Sequence, residues 1–130
     1  MSGEKKYTVG IDFGTESARA VLVNVKNGDI AASAVYLYSH GVITEKLPES
    51  NVELDPDWAL QHPGDYITAL KRTVPKLIKE SQVDPDQIIA VGTDFTGSTL
   101  IPTTADGTPL ALLEDYEDEP HAWPKLWKHH

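Results

Sequence analysis

The stretch at residues 7–12, Tyr-Thr-Val-Gly-Ile-Asp, followed at once by Phe13-Gly14-Thr15, constrains what this chain can fold into more than any other. It is short, rich in β-formers and closes in a carboxylate beside a glycine turn, which is how a strand delivers a polar group to its carboxyl end. Residues 18–25 resume the β pattern, and Gly14-Thr15-Glu16-Ser17 has the length of a hairpin connection containing glycine. Asn27-Gly28 marks a second hairpin with a type I′ turn, whose two central residues both need positive φ, and residues 30–38 are again β-rich. Three antiparallel strands in a row are expected.

Residues 40–62 hold Pro48, Pro56, several acids and few periodic apolar positions, so they read as a long connection of the kind that is more often functional than idle. From Pro63 the spacing changes. Tyr66, Ile67, Leu70, Val74, Leu77 and Ile78 recur at the helical period, with Pro63 suited to the first turn and Pro75 expected to bend the helix. Residues 88–94 form a continuous apolar run, the pattern of a buried strand, and Asp94 carries a second carboxylate to a strand end. Residues 100–104, the Asp106-Gly107 turn and residues 110–113 suggest one more hairpin. Residues 121–130 are expected to be helical, with Trp123, Leu126 and Trp127 forming an apolar stripe that wants a partner surface. No cap follows, and we expect the chain to be truncated there.

At 130 residues with 40% hydrophobic content, there is enough for one packed core but little for two, so residues 1–130 are expected to be one domain or part of one. Eleven Lys and Arg against twenty Asp and Glu give a net charge of -9, which opposes the clustered cations of a nucleic-acid footprint. The absence of cysteine removes disulfides and thiolate metal sites. No apolar run precedes the first strand, so neither a signal peptide nor a membrane span fits, and a soluble cytoplasmic protein is expected. Among His40, His62, His121, His129 and His130 no pair has the i, i+4 spacing of a helical metal site, and His40, His62 and Trp58 read as structural.

Asp12-Phe13-Gly14-Thr15-Glu16-Ser17-Ala18-Arg19 puts backbone amides, two hydroxyls and a guanidinium around one tight turn with a carboxylate at the strand end. Such a turn can cradle phosphate while the carboxylate holds hydrated Mg²⁺. A bare Asp-x-Gly-Thr fits an ordinary hairpin with a surface arginine even better, so its context has to carry the chemical reading.

That context is an element order of strand, glycine hairpin, strand, hairpin, strand, helix, strand, which is similar to the α/β ribonuclease-H-like (actin-like ATPase) fold. The phosphate-loop segment resembles the Asp-x-Gly-Thr-x-Ser-x-Arg pattern of the FGGY family of carbohydrate kinases. Tyr38-Ser39-His40-Gly41-Val42-Ile43, Trp58-Ala59-Leu60-Gln61-His62-Pro63-Gly64-Asp65-Tyr66, Gly92-Thr93-Asp94-Phe95-Thr96-Gly97-Ser98-Thr99 and the closing residues 121–130 resemble, in that order, the ribulokinase branch. Pro124 and Gly97-Ser98 depart from that branch's pattern. The likeness covers essentially the whole chain but only the front of the family's longer chains.

The resemblance implies a mixed sheet, an antiparallel three-strand meander followed by a helix and a parallel strand, as the incomplete first domain of such a kinase. It implies ATP and Mg²⁺ as cofactors and L-ribulose as substrate. Asp12 would hold the metal; Gly14, Thr15, Ser17 and Arg19 would meet the phosphates. Asp94, Thr96, Gly97, Trp127 and Lys128 would face the sugar, although Asp94 better suits a cap or turn acid, Gly97 equally suits a tight turn and Trp127 a packing role. The catalytic base would be an aspartate beyond residue 130, leaving the chain alone inert, with the rest of the kinase packing on the final helix. Rival readings are another pentulose or polyol kinase of the family, or a non-catalytic actin-like module that binds nucleotide or forms a homodimer through its last helix.

Overall fold

The computed structural model describes residues 4–130. They divide into two compact units: residues up to Leu37 together with Thr68–Phe95, and Tyr38–Ile67 together with Thr96–His130. Among the described residues the one long helix, α1 (Pro63–Ser81), begins in the second unit and continues in the first.

The first unit is built on β1 (Tyr7–Phe13), β2 (Ser17–Asn24), β3 (Ile30–Leu37) and β4 (Ile88–Phe95), in the order β3-β2-β1-β4. β1 and β2 pair antiparallel, as do β2 and β3, whereas β4 lies parallel to β1. The meander and the parallel fourth strand expected from the sequence are therefore present. Alternation along β1 and β2 buries Tyr7, Val9, Ile11, Phe13, Ala18, Ala20 and Leu22 on one face. The part of α1 in this unit buries Ala69, Thr73 and Leu77, a stripe at intervals of four. Thr73 is accommodated because its hydroxyl donates to the Ala69 carbonyl at 2.8 Å.

Two local expectations change. The second hairpin is not type I′, since of Asn27 and Gly28 only Gly28 has positive φ, at 78°. Instead the Asn27 side chain accepts from the Asp29 N–H at 2.9 Å, an Asx turn that needs only one left-handed residue. β4 is not a buried strand: it is the sheet edge, and Ile89, Val91 and Phe95 are exposed. An apolar run records what a strand would pack against, and among the described residues nothing covers this one.

α1 has Pro63 at its start, Asp65 in its first turn and Lys79 in its last, matching the helix dipole at both ends. It continues through Pro75 and ends with Gln82 left-handed, φ 58°, donating its N–H to the Ile78 carbonyl at 3.0 Å. No helix of the described residues is long and apolar enough to cross a membrane.

The second unit has little regular structure but a defined core: Ile43, Leu47, Leu60, Ala111, Ala122 and Trp123, with Val52, Leu54, Trp58 and Leu110 packed against it. Isolated bridges pair Ile43 with Leu60, Lys46 with Glu53, and Lys125 with both Leu60 and Leu100. The expected hairpin at 100–113 shrinks to one bridge, Thr103 with Pro109, around the Asp106-Gly107 turn, followed by a 3₁₀ turn at Leu110–Leu112. Pro102 and Pro109 have no N–H to continue a ladder.

The expected final helix is likewise absent. A single 3₁₀ turn, Pro120–Ala122, is followed by extended backbone at Trp123. Pro124 disfavours the helical conformation of the residue before it. Trp123 and Leu126 are 3% and 2% exposed, so the supposed stripe is mostly interior, and only Trp127, at 57%, faces outward.

Candidate functional site

In the first unit, β1 and β4 run parallel, so their carboxyl ends lie at the same end of the sheet, and Asp12 pairs in register with Asp94. On the other side of β1, Asp12 pairs with Arg19 of β2. Register partners project from the same face of a sheet, so Arg19, Asp12 and Asp94 form a row across three strands. All three are exposed. Phe13 and Phe95, the next residues along, stack with centroids 5.9 Å apart and planes at 17°. Asp94 also accepts from the Phe95 N–H at 3.0 Å.

The turn joining β1 to β2 is set by Gly14, whose N–H donates to the Ser17 carbonyl at 2.8 Å. A Cβ at residue 14 would lie 2.9 Å from that oxygen, so no side chain fits there. Thr15 lies within this turn and Ser17 opens β2, so both follow closely after the carboxyl end of β1. Such an arrangement can coordinate a hydrated cation at its carboxylates and an anion at its guanidinium and turn donors.

The remaining sequence candidates lie in the second unit. Thr96 and Thr99 share a hydrogen bond between their hydroxyls at 2.8 Å. Gly97, between them, has nothing within 4 Å of where a Cβ would sit, and the left-handed residue of this turn is Ser98, φ 58°. Gly97 is thus not demanded by this chain's own backbone. The Lys125 N–H donates to the Leu100 carbonyl at 3.0 Å, which fastens the segment carrying exposed Trp127 and Lys128 to the end of the 96–99 turn.

Lys125 lies 5.9 Å from the centroid of Trp58, and partial burial lowers its pKa. His129 meets the same indole at 4.6 Å; burial, then the charges of Lys125, His121 and His130, lowers its pKa. The Tyr66 phenol donates to Gln61 Oε1 at 2.6 Å, and burial, with Asp65 adding to it, pushes its pKa up to about 12. One grouping escaped the sequence reading: His40, His62 and Asp65, whose ligand atoms lie within 4.8 Å of one another. His40 and His62 come from separate segments, so no i, i+4 signal could announce them.

Comparison with known proteins places these elements. A model of the FGGY family of carbohydrate kinases, N-terminal domain, matches residues 7–116. The chain belongs to the FGGY family of carbohydrate kinases. It is 56% identical over 126 residues to a ribulokinase of Geobacillus thermodenitrificans (strain NG80-2), covering 97% of this chain and 22% of that protein. A ribulokinase of Mycolicibacterium smegmatis is 46% identical over 129 residues, covering 98% and 23%. The chain thus spans less than a quarter of the length of these relatives. Among solved structures, a xylulose kinase from Rhodospirillum rubrum aligns with a TM-score of 0.64 at 16% identity, covering 96% of this chain and 21% of that one. That likeness concerns the fold, the actin-like ATPase architecture of a sugar kinase's amino-terminal domain, present here in part.

Proposed function

We propose that this chain is the phosphate- and sugar-facing front of a cytoplasmic kinase that transfers the γ-phosphoryl group of ATP to L-ribulose. The observation that carries the substrate is the 56% identity to a ribulokinase over 97% of the chain. The row of Arg19, Asp12 and Asp94 beside the Gly14 turn supports the phosphate chemistry.

Phosphoryl transfer needs positioned phosphates, compensation of their charge and a group to take the proton of the attacking hydroxyl. In this reading Gly14 shapes the turn that lets the phosphates approach, Thr15 and Ser17 present donors to them, and the Arg19 guanidinium holds their charge by hydrogen bonds that strengthen as charge develops. The Asp12 carboxylate, exposed at a strand end beside Asp94, suits a divalent cation. Bound Mg²⁺ would supply neutralisation of phosphate charge. In the second unit Thr96 and Gly97, with Trp127 and Lys128, face the pentulose; the open space at Gly97 lets a sugar approach the backbone. The proton acceptor is assigned to an aspartate outside these 130 residues, and the exposed β4 and Trp127 to contact with the rest of the kinase.

The test is a chimera joining this chain to the remainder of the Geobacillus thermodenitrificans ribulokinase, assayed with ATP against L-ribulose, D-xylulose and glycerol. L-Ribulose should be phosphorylated with the highest kcat/KM, and the 130-residue chain alone should not turn over. Preference for another sugar would overturn the substrate assignment, and turnover by the short chain would place the base within it.

A further inference from the structure

The grouping of His40, His62 and Asp65 takes no part in the phosphoryl-transfer reading. Asp65 is 3% exposed. Its carboxylate accepts from His40 Nδ1 at 2.8 Å, from Ser39 Oγ at 3.1 Å and from the His40 backbone N–H at 3.1 Å. His62 lies face to face with His40, with ring centroids 4.0 Å apart and planes at 17°. His62 Nδ1 accepts the Gly64 N–H at 2.9 Å. A Cβ on residue 64 would stand 2.8 Å from His62 Cε1, so glycine is what lets the imidazole lie against the start of α1.

These bonds assign the protons. A carboxylate only accepts, so His40 Nδ1 carries hydrogen toward Asp65. A backbone N–H only donates, so His62 Nδ1 is bare and neutral His62 keeps its single proton on Nε2. A further proton on His62 has only Nδ1 to occupy. There it would meet the Gly64 N–H donor against donor and place a cation on the stacked ring of His40.

We propose that Asp65, His40 and His62 form a proton-sensitive latch fastening the 38–41 turn to the first turn of α1, closed while His62 is neutral and released when its Nδ1 is protonated.

The surroundings agree. Burial first, then the charge of His40, lowers the His62 pKa below its ordinary 6.5, while Asp65 and Glu49 act against this. Glu117 and Asp118 line the same cavity of about 330 Å³ as His62 and Glu49, and Trp123 meets the imidazole edge to face at 5.2 Å. A shared metal ion fits the geometry less well. The lone pairs of two stacked imidazoles lie in the separate, nearly parallel planes of their rings, and cannot converge on one ion at ~2.1 Å unless the rings unstack.

The test is NMR of the full chain, following ring nitrogen shifts of both histidines and amide protection of His40 and Gly64 from about pH 8 to about pH 5, the range in which histidine changes charge. His62→Asn is the companion variant, since its Oδ1 can accept the Gly64 N–H but takes no proton. Expected are an Nε2–H tautomer for His62, protection of both amides falling by about tenfold with the His62 midpoint, and flat protection in His62→Asn. Protection that ignores the His62 midpoint, or that falls equally in His62→Asn, overturns the latch. So does equimolar Zn²⁺ binding both rings and raising protection, which would make this a metal site. If His62→Asn does not fold, the wild-type titration decides alone.

Discussion

Gly14 and Gly97 look alike in the sequence, each in a short turn after a strand that carries aspartate near its carboxyl end, yet their surroundings differ. At Gly14 an added methyl meets the Ser17 carbonyl at 2.9 Å, whereas at Gly97 it meets nothing within 4 Å. Gly14→Ala should therefore cost about 1–3 kcal/mol, the range for forcing extra atoms into an occupied space, measurable as a lowered urea midpoint. Gly97→Ala should leave stability within ~0.5 kcal/mol. If the sugar does approach there, the same substitution should raise KM for L-ribulose in the chimera; an unchanged KM would remove Gly97 from the sugar site. The carboxylates Asp12 and Asp94 could be placed at strand ends from the sequence alone. Their side-by-side register could not, because it depends on β4 pairing with β1 across the intervening helix.

At the scale of elements, the three-strand meander and α1 were legible because local alternation, glycine turns and helical periodicity all agreed. The 121–130 segment misled: Trp123 and Trp127 have helical spacing, but Pro120 and Pro124 leave only one 3₁₀ turn between them. Long-range contacts bury Trp123 and Leu126 without a helix. α1 holds Pro75 in its interior, where the ring removes a backbone donor and crowds the preceding turn. Pro75→Ala should accordingly stabilise the chain by ~1–3 kcal/mol, read as an increase in Tm. β4 presents exposed Val91 on an uncovered sheet edge, the arrangement that invites strand addition. Val91→Lys should reduce aggregation of the isolated chain in light scattering while shifting stability by no more than ~0.5 kcal/mol. In the chimera the same change should be more costly if the rest of the kinase covers this strand.

For the whole molecule, the shifted groups set how stability follows pH. His62 and His129 both have lowered pKa values, so below the ordinary value of 6.5 the unfolded chain binds more protons than the folded one. Stability should therefore be full above that value and fall as the pH is lowered through it. Tyr66 acts in the opposite sense: raised from 10.0 to about 12, it keeps its proton in the fold where the unfolded phenol loses it, so stability declines as pH rises across that interval. The lowered Lys125 pKa opposes that alkaline loss. Urea unfolding across this range should show a maximum between neutral and mildly alkaline pH, and His62→Asn should flatten part of the acid limb.

The row formed by Arg19, Asp12 and Asp94 is the part of the account on which the kinase chemistry depends, and its members are exposed, so changing them should barely disturb the fold. The most direct measurement is kcat and Tm of the chimera with Asp12→Asn and, separately, Arg19→Ala. A fall in kcat of about a hundredfold or more with Tm nearly unchanged is the expected result, as for a charge that acts on the transition state. Turnover and Tm falling together, or turnover unchanged, would contradict it and leave an ordinary hairpin with a surface arginine.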